Sequence, residues 1–145
     1  MASWVKRVEE VVPGYLMVIH MEEGKRRFAV LNMYYPAYEP DGVKGKGVLM
    51  SSVESALTET VREARGNGEM VILLTDGNDW AKRNREQSES GLVDVVMLGG
   101  HGSEVTWRRT TKTKGIQENR IDLCMTSEEV FARHFGKAQQ QGSEQ

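Results

Sequence analysis

Apolar positions along this chain fall in short bursts separated by turn chemistry. Tyr15 to Met21 and Arg27 to Met33 are rich in β-branched and bulky apolar residues, and Glu22-Glu23-Gly24-Lys25 lies between them, so the pair reads as a hairpin. Pro36, Pro40, Asp41-Gly42 and the Gly45/Gly47 pair then interrupt regular structure, because proline removes a backbone donor and glycine frees the chain. From Leu49 onward apolar residues recur at Val53, Ala56, Leu57, Val61 and Ala64, one face of a helix that Gly66-Asn67-Gly68 ends. Met70 to Thr75 is a continuous apolar run, as expected of a central strand buried on both faces, with Asp76 at its end.

Trp80 to Gly91 is charged and polar without an apolar period, which predicts an exposed loop or ragged helix with no chemistry in it. Leu92 to Leu98 reads as strand or short helix, ended by Gly99-Gly100-His101-Gly102. Short strands are expected at Val105 to Arg109 and at Arg120 to Met125. Ser127, followed by Glu128 and Glu129, has the form of a capped helix start. Residues 136–145 form a Gln/Gly/Ser/Glu tail expected to be disordered, and residues 1–12 read as a lead-in. One mixed α/β (α+β) domain over 13–135 is the expectation.

Composition narrows this picture. A chain of 145 residues, 39% apolar and 28% charged, suits one globular domain. No apolar run approaches the roughly 20 residues of a membrane span, and the charged N-terminus is unlike a secretion signal, so an intracellular protein is expected, with nucleus or cytoplasm left open. One cysteine, Cys124, and three histidines offer no zinc-ligand spacing, and Cys124 reads as a small core hydrophobe. A net charge of −2 removes overall basicity as a route to nucleic acid. Arg108, Arg109, Lys112, Lys114 and Arg120 form the one basic concentration, readable as a solvated loop or as a phosphate contact.

Polar residues that directly follow strands are the candidates for chemistry, since strand ends hold side chains at the rim of a sheet. Three segments qualify: Asn32-Met33-Tyr34-Tyr35-Pro36, Thr75-Asp76-Gly77-Asn78-Asp79-Trp80 and Arg120-Ile121-Asp122. Their order, together with Gly91-Leu92-Val93-Asp94-Val95 and Thr106-Trp107, resembles the endonuclease/exonuclease/phosphatase family over Pro13 to Ser127. Asn32 to Pro36 is similar to its Asn-Val-Tyr-Ala-Pro segment, Thr75 to Asn78 to Gly-Asp-Phe-Asn, and Arg120 to Leu123 to Arg-Ile-Asp-Tyr.

The resemblance implies part of a four-layer α/β sandwich, mainly its second sheet with the covering helix. It implies a metal-dependent phosphodiester hydrolase acting on nucleic acid, of the retrotransposon endonuclease type, or alternatively an inactive remnant that binds nucleic acid or a protein. Tyr34 would stabilise charge on the scissile phosphate, Asp76 would orient or deprotonate water, Asn78 would donate to the nucleophile or phosphate, and Asp122 would lie by a Mg²⁺ or Mn²⁺ ion. Asn32 and Thr106 would support them, and Arg108, Arg109, Lys112 and Arg120 would contact DNA. The family's opening half, with its Asn and metal-binding Glu, has no counterpart here, and His134 lacks the Ser-Asp context of the family histidine. Gly77 replaces a bulky apolar residue and is expected to loosen the backbone. A sheet without its facing sheet would carry an open apolar face, which implies a missing half-domain or self-association.

Overall fold

The computed structural model describes residues 3–36, 46–84, 87–98 and 105–130. The elements are β1 (Val5–Val12), β2 (Leu16–Glu23), β3 (Arg26–Tyr34), α1 (Lys46–Gly66), β4 (Met70–Asp76), α2 (Asn78–Arg83), β5 (Leu92–Asp94), α3 (Val95–Leu98), β6 (Trp107–Thr111), β7 (Gly115–Asn119) and β8 (Asp122–Ser127). Six strands form one sheet in the order β1-β2-β3-β4-β8-β5, and β6 and β7 form a separate ribbon. Only β3 and β4 run parallel, which requires a crossover between them, and α1 is that crossover.

The expected hairpin is β2 and β3, in register from Leu16↔Met33 to Glu23↔Arg26. Its two-residue loop starts at Gly24 with φ 59, a left-handed conformation that glycine adopts without strain. On one face of the sheet, Leu16, Val18, Ala29, Leu31, Met33, Val71, Leu73, Leu123 and Met125 are buried. Val53, Leu57, Val61 and Ala64 of α1 join them in one core, which is what the helical spacing of those four residues predicts.

The other face is open toward the Leu74 end and closed toward Thr126, which is 3% exposed. Cross-strand alternation places Val8, Ile19, Val30, Ile72, Leu74 and Cys124 there; Val8 is 56% and Leu74 46% exposed. The expectation that β4 is buried on both faces is therefore corrected: β4 is central in the sheet but packed on one side. Cys124 is half-buried on this open face rather than in the core.

Other expectations shift with tertiary packing. Residues 5–12, read as a lead-in, form β1 and pair with β2 from Val5↔Met21 to Val12↔Leu16. The polar stretch after Asp76 is not all exposed, because α2 buries Trp80 and Ala81 in the core. Leu92 to Leu98 is strand and then helix. The basic stretch is a hairpin, with β7 paired to β6, and the last strand runs to Ser127, which is buried with its Oγ accepting from the Val71 N–H at 3.2 Å. Residues 128–130 continue as helix. Gly99 to Gly102, His134 and the polar tail lie outside the described residues. Among the described residues no helix is long and apolar enough to cross a membrane.

Candidate active site

The sheet register brings three of the proposed catalytic residues side by side. Tyr34 ends β3 opposite Asp76 at the end of β4, and Asp76 is opposite Asp122 at the start of β8. Directly opposed residues on neighbouring strands have Cβ atoms about 5 Å apart, so the phenol and two carboxylates form one row across the sheet rim, on the open face. All three are exposed.

Backbone bonds continue the ladder beyond the strands and fix this row. Tyr35 N–H donates to the Asp76 carbonyl at 2.9 Å, and Gly77 N–H donates to the Ile121 carbonyl at 2.7 Å. Asn78 follows with φ 42, the left-handed region that asparagine tolerates better than most residues. That turn aims the Asn78 backbone N–H at the Asp76 carboxylate. The Asn78 side-chain amide donates to the Tyr35 carbonyl at 2.7 Å, so it ties the ends of β3 and β4 together. Thr106 acts on the third segment: its Oγ1 accepts from the Ile121 and Asp122 N–H groups at 2.9 and 3.1 Å. Asn32 lies two residues before Tyr34, on the same face and exposed.

Gly77 does not loosen the turn. It is buried at φ −92, ψ −10, and a Cβ at this position would come within 2.8 Å of the Ala81 Cβ. Close approach of α2 to the end of β4 is what requires glycine here, and the packing of Trp80 and Ala81 explains that approach.

The electrostatics follow from the pairing. Partial burial, and then the charge of Asp122, push the Asp76 carboxyl above its ordinary pKa, while the Asn78 N–H works against the shift. A carboxylate pair of this kind lowers its repulsion by binding a cation. Among the described residues no three His, Cys, Asp or Glu groups are placed to hold a metal. Two carboxylates nevertheless fit Mg²⁺, which keeps several waters and takes its remaining ligands from substrate phosphates.

The basic residues divide. Arg108, Arg109 and Lys112 are on or beside the β6–β7 hairpin, with Arg108 paired to Glu118 at 2.5 Å. Arg120 is a correction to the expected DNA contacts. It is 3% exposed and bonded through both terminal nitrogens to Asp94, itself 0% exposed. A buried guanidinium committed to a buried carboxylate is not available to phosphate.

Two supporting interactions were not anticipated. The Asp94–Arg120 pair joins the Leu92-Val93-Asp94 and Arg120-Ile121-Asp122 segments, and the signal available was that both residues belong to segments of the family resemblance. Tyr35 is 2% exposed; its hydroxyl donates to Glu54 Oε1 at 2.6 Å and accepts from Arg83 Nη2 at 3.1 Å. Arg83 also bonds Glu54 at 2.5 Å. Burial and the adjoining Glu54 push the Tyr35 phenol up to about 12, so it stays protonated and anchors the end of β3 to α1 and α2.

No protein-family model and no curated protein matches the sequence. Among solved structures, the chain is similar to TDP2 from C. elegans, with TM-score 0.58 and 15% identity over 85% of this chain and 40% of that one. A truncated form of C. elegans TDP2 matches with TM-score 0.53 and 16% identity over 77% and 46%. The fold is of the endonuclease/exonuclease/phosphatase type. Further chains, matched at lower TM-score, include an endonuclease/exonuclease/phosphatase family protein from Bacteroides thetaiotaomicron, at 0.43 and 17% identity over 78% and 41%. This chain thus spans about two fifths of the length of the TDP2 structure.

Proposed function

We propose that this chain contributes part of the active site of a metal-dependent phosphodiester hydrolase acting on nucleic acid. The observation that carries the reading is the row Tyr34, Asp76, Asp122 across the ends of β3, β4 and β8, held by Asn78 and Thr106. In this reading Asp76, its carboxyl pKa raised by partial burial and by Asp122, orients the attacking water and accepts its proton. Tyr34 donates its phenolic hydrogen bond to a phosphate oxygen as charge develops there. Asp122, positioned by Thr106, would hold Mg²⁺ or Mn²⁺ beside it. The ion, when bound, supplies positive charge to the phosphate. Arg108, Arg109 and Lys112 supply a local cationic surface for a polyanion on an otherwise acidic chain.

The open face of the sheet supports a second element of the proposal. A row of apolar side chains across β3, β4 and β8 that includes an exposed Leu74 suits a facing sheet, from a missing half-domain or from a second copy of the chain. The same face favours the alternative reading, a non-catalytic remnant whose remaining activity is to bind a partner or nucleic acid. A retrotransposon-type nuclease is the preferred origin because the connection from Asp76 to Asp122 is short.

Nicking of supercoiled plasmid and of an abasic-site oligonucleotide, with Mg²⁺ or Mn²⁺, separates these readings. Nicking that falls to background in Asp76→Ala is the expected result. Nicking no greater than that of the variant would refute catalysis by this chain on these substrates.

A further inference from the structure

Beside the carboxylate row, at the same end of the open face, is a hollow of about 340 Å³. Its lining includes Tyr15, Tyr34, Asn32, Met17 and Val8, an apolar wall with few polar groups. Tyr15 and Tyr34 form its rim. Their rings stack with centroids 6.1 Å apart and an interplanar angle of 26°, and Tyr34 N–H donates to the Tyr15 carbonyl at 2.8 Å. The backbone bond holds the two residues side by side, and the rings meet in the stacked pair. Tyr34 is nonetheless 47% exposed.

The polar groups of the hollow are arranged unequally. Glu10 accepts from Gly14 N–H at 2.9 Å and so closes the β1–β2 turn. Asn32 is exposed on the face it shares with Tyr34, and its side-chain amide makes no hydrogen bond to any described residue. A free carboxamide offers one acceptor and two donors in a plane, the complement of the edge of a nucleobase. An aromatic ledge, an apolar floor and one uncommitted amide are the elements that hold a small planar heterocycle.

We infer that this hollow is a nucleobase subsite, in which an unpaired base stacks on the Tyr15–Tyr34 ledge with its edge toward Asn32. The inference rests on the proposed hydrolase reading and deepens it. Tyr34 belongs to both the ledge and the carboxylate row, so a base seated here places its own backbone phosphate next to Asp76 and Asp122. The chemical class selected is single-stranded or locally unpaired polynucleotide, because a base held in its helix cannot reach the ledge.

The test is equilibrium binding by fluorescence anisotropy, without divalent metal, so that no cleavage enters. The probes are fluorescein-labelled hexadeoxyadenylate and a hexamer of abasic tetrahydrofuran phosphates with the same charge. The wild-type chain is expected to prefer the base-bearing probe by roughly tenfold, the scale of one base–aromatic contact. Tyr15→Ala should remove that preference and Tyr15→Phe should keep it. Should Tyr15→Ala fail to fold, Tyr15→Leu keeps the apolar bulk and removes the aromatic face, and is expected to lose the preference too. Equal binding of the two probes, binding of neither, or a preference that survives loss of the ring would overturn the subsite. The preference is read independently of nicking. A chain that prefers bases but does not nick leaves the subsite standing and the hydrolase reading refuted, and the reverse result does the opposite.

Discussion

Asp76 is the residue on which structure and chemistry meet most directly. Its neighbour Asp122 and its partial burial raise its pKa, so the folded chain binds a proton at this position more tightly than the unfolded chain does. The stabilisation from that proton is present in acid and is lost as pH rises through the raised value. Asp76→Asn should therefore raise the melting temperature at about pH 7, with the gain disappearing at about pH 3; thermal melts across that range check the sign, and a variant less stable at neutral pH would contradict it. Asp94 and Arg120 behave differently, because they are opposite charges removed from water. Asp94→Ala leaves a buried guanidinium without its counter-ion and is expected to cost about 3–5 kcal/mol in denaturant unfolding. A loss below about 1 kcal/mol, typical of a surface pair, would show that Arg120 escapes to solvent. The positions of Tyr34 and Asp76 at strand ends and of Asn78 just after one were legible in the sequence, whereas Asp122 opens its strand. Arg120 was misread because a charge on the page looks the same whether it faces phosphate or a buried carboxylate.

Elements with a single repeating signal were read well from the sequence, and those defined by a partner were not. The spacing of Val53, Leu57, Val61 and Ala64 alone marks α1, and the Gly24 turn marks the β2–β3 hairpin. β1 carries Lys6, Arg7, Glu9 and Glu10, and is a strand because β2 offers it an edge to pair with. β7 similarly exists through its register with β6. α2 was hidden because, of its described side chains, Trp80 and Ala81 enter the core. Gly77 shows the same dependence on packing: its requirement comes from Ala81 in the next element, not from its own φ. Gly77→Ala is expected to destabilise by about 1–3 kcal/mol, the usual scale of overpacking, and Ala81→Gly in the same chain should relieve the clash while adding its own smaller helix cost. If the double variant is no better than the sum of the two single changes in a denaturant cycle, the clash is not the cause.

At the scale of the whole molecule, the described residues build a core on one sheet face and leave apolar side chains exposed on the other. Leu74 and Val8 stand near or above half exposure on a face whose middle is apolar. The proposed facing partner predicts concentration-dependent association in sedimentation, and Leu74→Glu should abolish it while leaving the α1-side core intact; a monomer at every concentration would leave only a separate polypeptide as the cover. The sequence suggested this asymmetry through the resemblance, not through periodicity, since the continuous run Met70 to Leu74 looks the same whether its second face is covered or open. The strand order carries one further consequence. β8 arrives last along the chain yet sits between β4 and β5, and it alone brings Asp122 to Asp76. Any local opening that peels β8 from β4 breaks up the carboxylate pair before the β2–β3–α1–β4 unit is disturbed. The proposed hold on a divalent ion is then coupled to the docking of a single six-residue strand, so that the site would report on the integrity of its own scaffold.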